Sequence, residues 1–205
     1  QALVRARPIY GSEALQRRFA DIRQQILSQP RLLATLQQDV IAMRDKLRQH
    51  HGATADDPKH SVGGIVDLEF ISQYLVLAYA AKHAAKLKNH VFASESDFGA
   101  GRIWRLDTGF GEKALAFGNT LQQKLAPLGV EMGDNTASGG PDVSVLKAQG
   151  VPVVSLQQDG TDYFDYHHTP NDTMDKIDPA AMQQNVDAWL ITTGEVANSQ
   201  VDLRR

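Results

Sequence analysis

Residues 163–174 read Tyr-Phe-Asp-Tyr-His-His-Thr-Pro-Asn-Asp-Thr-Met. The stretch crowds rings, imidazoles and carboxylates into one loop just ahead of Asp178-Pro179, where an N-cap acid and a proline at the first helical position launch a last helix. That helix is expected to bury a face of Met182, Val186, Trp189 and Thr193. Upstream of the loop, Pro152–Leu156 reads as an apolar strand and Asp142–Gln149 as a short helix stopped by Gly150. Val130-Glu131-Met132 reads as a short strand, Gly111–Leu128 as a helix closed by Gly129, and His90–Glu95 as a strand that runs into Ser96-Asp97-Phe98-Gly99. Strands alternating with helices predict an α/β sheet with helices packed on its faces.

Before about Asn89 the pattern is helical and little else. Ser12 is the expected N-cap of a helix with Leu15, Phe19, Ile22 and Ile26 on one face. Pro30 interrupts, and a second helix follows with Leu33, Leu36, Val40, Met43 and Leu47 as its buried stripe. His50 to Val62 is polar and reads as an exposed loop, its histidines His50, His51 and His60 as solvated. A third helix starts after Gly63-Gly64, carries Phe70, Tyr74 and Leu77, and continues through Ala-Ala-Lys-His-Ala-Ala-Lys-Leu. Asp134 and Asp159 read as turn formers.

The 205 residues are enough for one large domain or two small ones. A 42% hydrophobic and 22% charged composition is that of a globular chain, and a net charge of -3 gives no reason to expect nucleic acid or an anionic membrane as partner. No apolar run approaches the ~20 residues of a membrane span. The chain opens at Gln1 without a basic-then-apolar leader, so the expectation is a processed or partial sequence. With no cysteine, disulfides and thiolate zinc sites are excluded, and any metal must sit on His, Asp and Glu.

Glu95-Ser96-Asp97-Phe98-Gly99, Gly139-Gly140-Pro141-Asp142, Gly150-Val151-Pro152 and Tyr166-His167-His168-Thr169-x-x-Asp172-Thr173 stand in an order that resembles the C-terminal half of the di-zinc aminopeptidase family, its carboxypeptidase Q-like branch above all. The resemblance covers about residues 78–205. It implies a partial α/β/α sheet, a peptide substrate and zinc, with Asp97 and His168 as ligands to different metals and Asp142 and Tyr166 at the rim of the substrate cleft. Di-zinc peptidases hold their ions ~3.5–4 Å apart to clamp the attacking and departing oxygens. The family's first zinc histidine, bridging carboxylate and Glu-Glu pair should precede Asp97, but the sequence holds no Glu-Glu pair. Little or no turnover by the chain alone is therefore expected.

Residues 1 to about 78 resemble bacterial glutamine synthetase adenylyltransferase. The motifs are Gln1-Ala2-Leu3-Val4-Arg5-Ala6-Arg7-Pro8, Val40-Ile41-Ala42-Met43-Arg44 and Gly63-Gly64-Ile65-Val66-Asp67-Leu68-Glu69-Phe70. This second resemblance implies AMP transfer from ATP to a protein tyrosine, with Gly63, Gly64, Asp67 and Glu69 beside a nucleotide-bound magnesium. The preferred reading of Asp67 and Glu69 is as charges favoured at a helix start. The Gly-Ser loop and Asp-x-Asp pair of that chemistry are missing.

The expected organisation is thus a chimaera: a helical adenylyltransferase-like segment, 1–78, joined to a truncated zinc-peptidase-like α/β domain, 79–205. The join falls near Leu75–Lys82, and one continuous helix is expected to cross it. A sheet lacking its upstream half leaves an edge through which copies would self-associate, and a non-catalytic helical interaction module is a further alternative. The two resemblances point to different compartments, exported or periplasmic for the peptidase and cytoplasmic for the other.

Overall fold

The computed structural model describes residues 3, 6, 8–51, 57, 59–167 and 169–204. They form two compact units: Gln1–Asn89 with Pro141–Gln149, and His90–Gly140 with Gly150–Arg205.

The first unit is helical: α1 (Glu13–Leu27), α2 (Leu33–His51), α3 (Ile65–Lys82), a 3-10 segment Ala84–Asn89, and the short α5 (Ser144–Ala148). Ser12 caps α1, its hydroxyl accepting from the Leu15 N–H at 3.4 Å. At the other end the Arg31 guanidinium donates to the carbonyls of Ile26, Leu27 and Gln29, satisfying groups that the interruption at Pro30 leaves over. Of the face expected to be buried, Leu15 is 63% exposed and Ile22 and Ile26 are also exposed, while Leu27 is buried. In α2 the buried line is Leu36, Val40 and Arg44, a strict four-residue repeat, and Leu33 and Met43 face solvent.

Arg44 is buried because α3 supplies its partner. The Asp67 carboxylate accepts from Arg44 Nε, from Arg48 Nη2 at 3.0 Å and from the Gly63 N–H at 2.8 Å, and Arg44 also reaches the carbonyls of His60 and Ser61. Gly63 has φ 79°, a left-handed turn that aims its N–H at Asp67. The segment read as solvated loop is partly ordered: Asp57 accepts from the Lys59 and His60 N–H groups and pairs with His60 Nδ1 at 2.9 Å. The side chain of His51 lies outside the described set. Helix α3 runs unbroken through Leu75–Lys82 and stops at His83, short of the expected continuation, with the His83 ring against Tyr79.

The second unit is the α/β part. Its mixed sheet has the order β2-β1-β3, from β1 (Ile103–Gly109), β2 (Glu131–Met132) and β3 (Val153–Gln158). Strand β1 pairs parallel with β2 and antiparallel with β3. The expected strand His90–Glu95 is not one: Ala93 alone bridges β3 at Val153, and the Ser94 hydroxyl, not a ladder, engages Val154 O. The central strand is instead Ile103–Gly109, where a bulge between Ile103 and Arg105 shifts the alternation. The shift puts Ile103 in the core with Leu106, while Arg105 and Asp107 share the opposite face and pair at 2.6 Å.

Helices α4 (Leu115–Leu125) and α7 (Pro179–Asn198) cover the apolar face, and a four-residue turn, α6 (Tyr163–Tyr166), lies between β3 and α7. The core joins Leu106, Leu121, Leu125, Val130, Val154, Leu156, Ala188 and Val196, with Trp189 packed against it. The sequence places the buried face of α7 one residue out of phase. Met182, Val186 and Thr193 are exposed, and Ala181, Gln184, Asn185, Ala188, Thr192 and Val196 are buried. Gln184 explains the phase: its Oε1 accepts from the Ile103 N–H at 2.9 Å, and its Nε2 donates to Ile103 O at 2.7 Å and to Leu128 O at 3.2 Å. Asn185 Nδ2 donates to Gly101 O and Ala181 O, and its Oδ1 accepts from Gln158. Two amides thus do for the start of β1 what a neighbouring strand would do.

Candidate functional site

Two segments of the second unit meet around a cleft of about 340 Å³ lined by residues from 99–102 and 159–181. The first segment leaves Asp97 and turns at Gly99, φ 81°; the second is the loop between β3 and α7. Asp159 opens that loop as a turn former, accepting from the N–H and hydroxyl of Thr161. Asp134 does the same for Thr136. Asp178 closes the loop, accepting from the Ala180 N–H at 2.9 Å and fixing where α7 begins.

Within the loop, α6 projects Tyr163, Tyr166 and His167 into the cleft, and Asp172, Thr173 and Lys176 complete that wall. Tyr163 stacks on Phe98 with centroids 4.5 Å apart and on His167 at 4.4 Å. Burial, then the nearby charges of Asp97 and Asp172, push the Tyr163 hydroxyl above its ordinary value. Lys176 pairs with Asp175 at 2.7 Å. The expected local bonds of the Asp172-Thr173 pair run through Thr173, whose hydroxyl donates to Asn171 O and to Asp175.

Asp97 is exposed, two residues before the lining residue Gly99, and Tyr166 is half-buried in the cleft wall. His168 lies outside the described residues. Asp142 is exposed and belongs to the first unit. Glu95, just before Asp97, packs over Gly140, where a Cβ would come within 2.5 Å of the carboxylate. Gly63, Gly64, Asp67 and Glu69 start α3; Arg44 holds the Asp67 carboxyl down at about 2, and Glu69 is half-buried. Clasped by two guanidinium groups, Asp67 does not offer magnesium an open carboxylate.

A zinc site of the peptidase class needs at least three protein ligands and an open position. Among the described residues no three His, Asp or Glu side chains converge to hold a cation. The described lining of the cleft combines aromatic rings, an imidazole, carboxylates and the cations of Arg102 and Lys176. Tyr163, Arg102 and Lys176 are wall residues that motif reading misses, because none stands in a ligand position of the resemblance.

Comparison with known proteins separates two lineages. The sequence pattern of Peptidase family M28 matches residues 72–193. The crystal structure of a Peptidase M28 precursor from Shewanella amazonensis SB2B is similar, with a TM-score of 0.61 and 53% identity over 63% of this chain and 29% of that one. The bifunctional glutamine synthetase adenylyltransferase/adenylyl-removing enzyme of Pasteurella multocida (strain Pm70) is 54% identical over 88 residues. That of Idiomarina loihiensis (strain ATCC BAA-735 / DSM 15497 / L2-TR) is 50% identical over 86. These stretches are 42% and 40% of this chain, which spans only 9% of either relative. The sequence is chimaeric, joining an adenylyltransferase-like portion to a peptidase portion. Since the peptidase pattern runs over more than half of its length, the chain belongs to Peptidase family M28.

Proposed function

We propose that residues 79–205 descend from the downstream part of a zinc exopeptidase that acts on peptide N-termini or dipeptides, and that the chain is catalytically silent by itself. Asp97 and His168 are the inherited ligand positions, one for each zinc, and Tyr166 is a rim residue of the substrate cleft. The observation that carries this reading is the cleft itself. Its walls follow Asp97 on one side and contain Tyr166 and His167 on the other, yet the donors described around it fall short of a metal-binding set. The sequence also holds no Glu-Glu pair of the kind that would give the general base and a further ligand for peptide hydrolysis. After purification in zinc, the chain is expected to carry close to no metal and to leave aminoacyl reporter substrates uncut. Two equivalents of zinc, or chelator-sensitive cleavage, would sink the reading.

The likeness to adenylyltransferases supports a second reading, a fragment of an enzyme that moves AMP from ATP to a tyrosine of glutamine synthetase. The Arg44–Asp67–Arg48 clasp weighs against magnesium chemistry at Asp67. Transfer of labelled AMP to glutamine synthetase by the purified chain would revive it.

A further inference from the structure

The segment that carries Asp97 has almost no ladder of its own: Ala93 makes its single bridge to β3. Something else must hold residues 97–99 against the cleft, and the contacts name it. Phe98 and Tyr163 stack at 4.5 Å and 19°, Tyr163 and His167 at 4.4 Å and 29°, and Phe164 closes edge-on at 5.1 Å from Tyr163. Two glycines make room. A Cβ on Gly160 would overlap the Phe98 ring, and one on Gly99 would press to 3.2 Å from Tyr163. Gln158 adds a polar tie, donating to Gly99 O at 2.8 Å and accepting from the Ser96 hydroxyl at 3.3 Å. Stacked and edge-on ring pairs attract beyond their burial, which suits them to set the position of a strand-less segment.

We propose that Tyr163 is a positioning residue: its ring clamps the Asp97–Gly99 segment to the α6 turn and so sets the width of the cleft. The proposal rests on the peptidase reading of the cleft, but its test needs neither metal nor turnover. The chain has no native cysteine, so Asp97→Cys and Asn171→Cys, both at exposed positions, give two unique sites for nitroxide labels across the clamp. Dipolar coupling in the full chain should report a narrow distance distribution. Tyr163→Ala should broaden it at least two-fold with the thermal midpoint held within a few degrees, and Tyr163→Phe, which keeps the stack, should restore it. If Tyr163→Ala does not fold, Phe98→Ala removes the same contact from the other side and carries the same expectation. An unchanged distribution on loss of either ring overturns the clamp, as does a Phe variant as broad as Ala. Bound zinc or turnover in the unmodified chain would instead count against the silent-peptidase reading and leave the label distances to judge the clamp.

Discussion

The two units enclose their apolar side chains to different extents. In the second, helices α4 and α7 close on a sheet, and Leu106, Leu121, Val154 and Ala188 are withdrawn fully from solvent. In the first, α1 presents Leu15, Ile22 and Ile26 to water, and Leu68 and Leu75 of α3 are likewise exposed. Leu27, Val66, Leu77 and Ala80 are buried there, and a polar contact, the clasp of Asp67 by Arg44 and Arg48, joins α2 to α3. An apolar stripe is a request for a partner surface and does not create one. Where a sheet receives the helix the request is met, and along the Leu15, Ile22 and Ile26 stripe of α1 it is not.

That contrast can be broken by unfolding. Trp104 and Trp189 both lie in the second unit, so their fluorescence reports it alone. In urea, part of the helical circular dichroism should be lost before the tryptophan signal changes; coincident curves would mean that the units do not differ in stability. The largest single-residue effect should come from Leu121→Ala, at about 2–5 kcal/mol in the tryptophan-monitored transition. Gln184→Leu should cost about 1–3 kcal/mol in the same transition, because it strands the buried N–H and C=O of Ile103. A cost near zero would mean that water or another group takes over.

Acid should act on the first unit in a smaller way. Asp67 is held from its ordinary 3.8 down to about 2, first by the Arg44 hydrogen bond, then by Gly63 and Arg48. A carboxyl depressed in the folded state contributes stability above its unfolded pKa and loses it as pH falls through the folded one. The loss should therefore run from about pH 4 to pH 2 and amount to on the order of 1–2 kcal/mol after solvent screening. Asp67→Asn should abolish that acid limb of the helical signal. Leu15→Ala should be the mildest change, within about 0.5 kcal/mol, and a larger cost would show that the α1 stripe has found a partner.

Much of this architecture is legible in the residues. The caps at Ser12 and Asp178, the Gly129 and Gly150 stops and the strand at Pro152–Leu156 follow from local chemistry that tertiary structure does not override. The central strand Ile103–Gly109 escapes because a bulge breaks its alternation and its second face is a charged pair, so period-two counting returns nothing. His90–Glu95 misleads in the opposite sense: the composition suits a strand, but a ladder needs a partner edge, and only Ala93 finds one. The phase of α7 is lost because its buried side includes amides chosen for backbone groups of another element. At the cleft, the loop is announced by its own crowded sequence, while the Phe98–Tyr163 stack joins residues too far apart for any local pattern to connect them.

Gln184 also carries a chemical clock. Its side-chain nitrogen is the donor to two carbonyl oxygens, so hydrolytic deamidation to glutamate would set a third oxygen against them and turn two attractions into repulsions. Burial to 3% exposure keeps the water for that reaction away. Ageing of the chain should therefore spare Gln184 for as long as α7 stays docked, and the appearance of glutamate there would record how often the helix has lifted from the sheet.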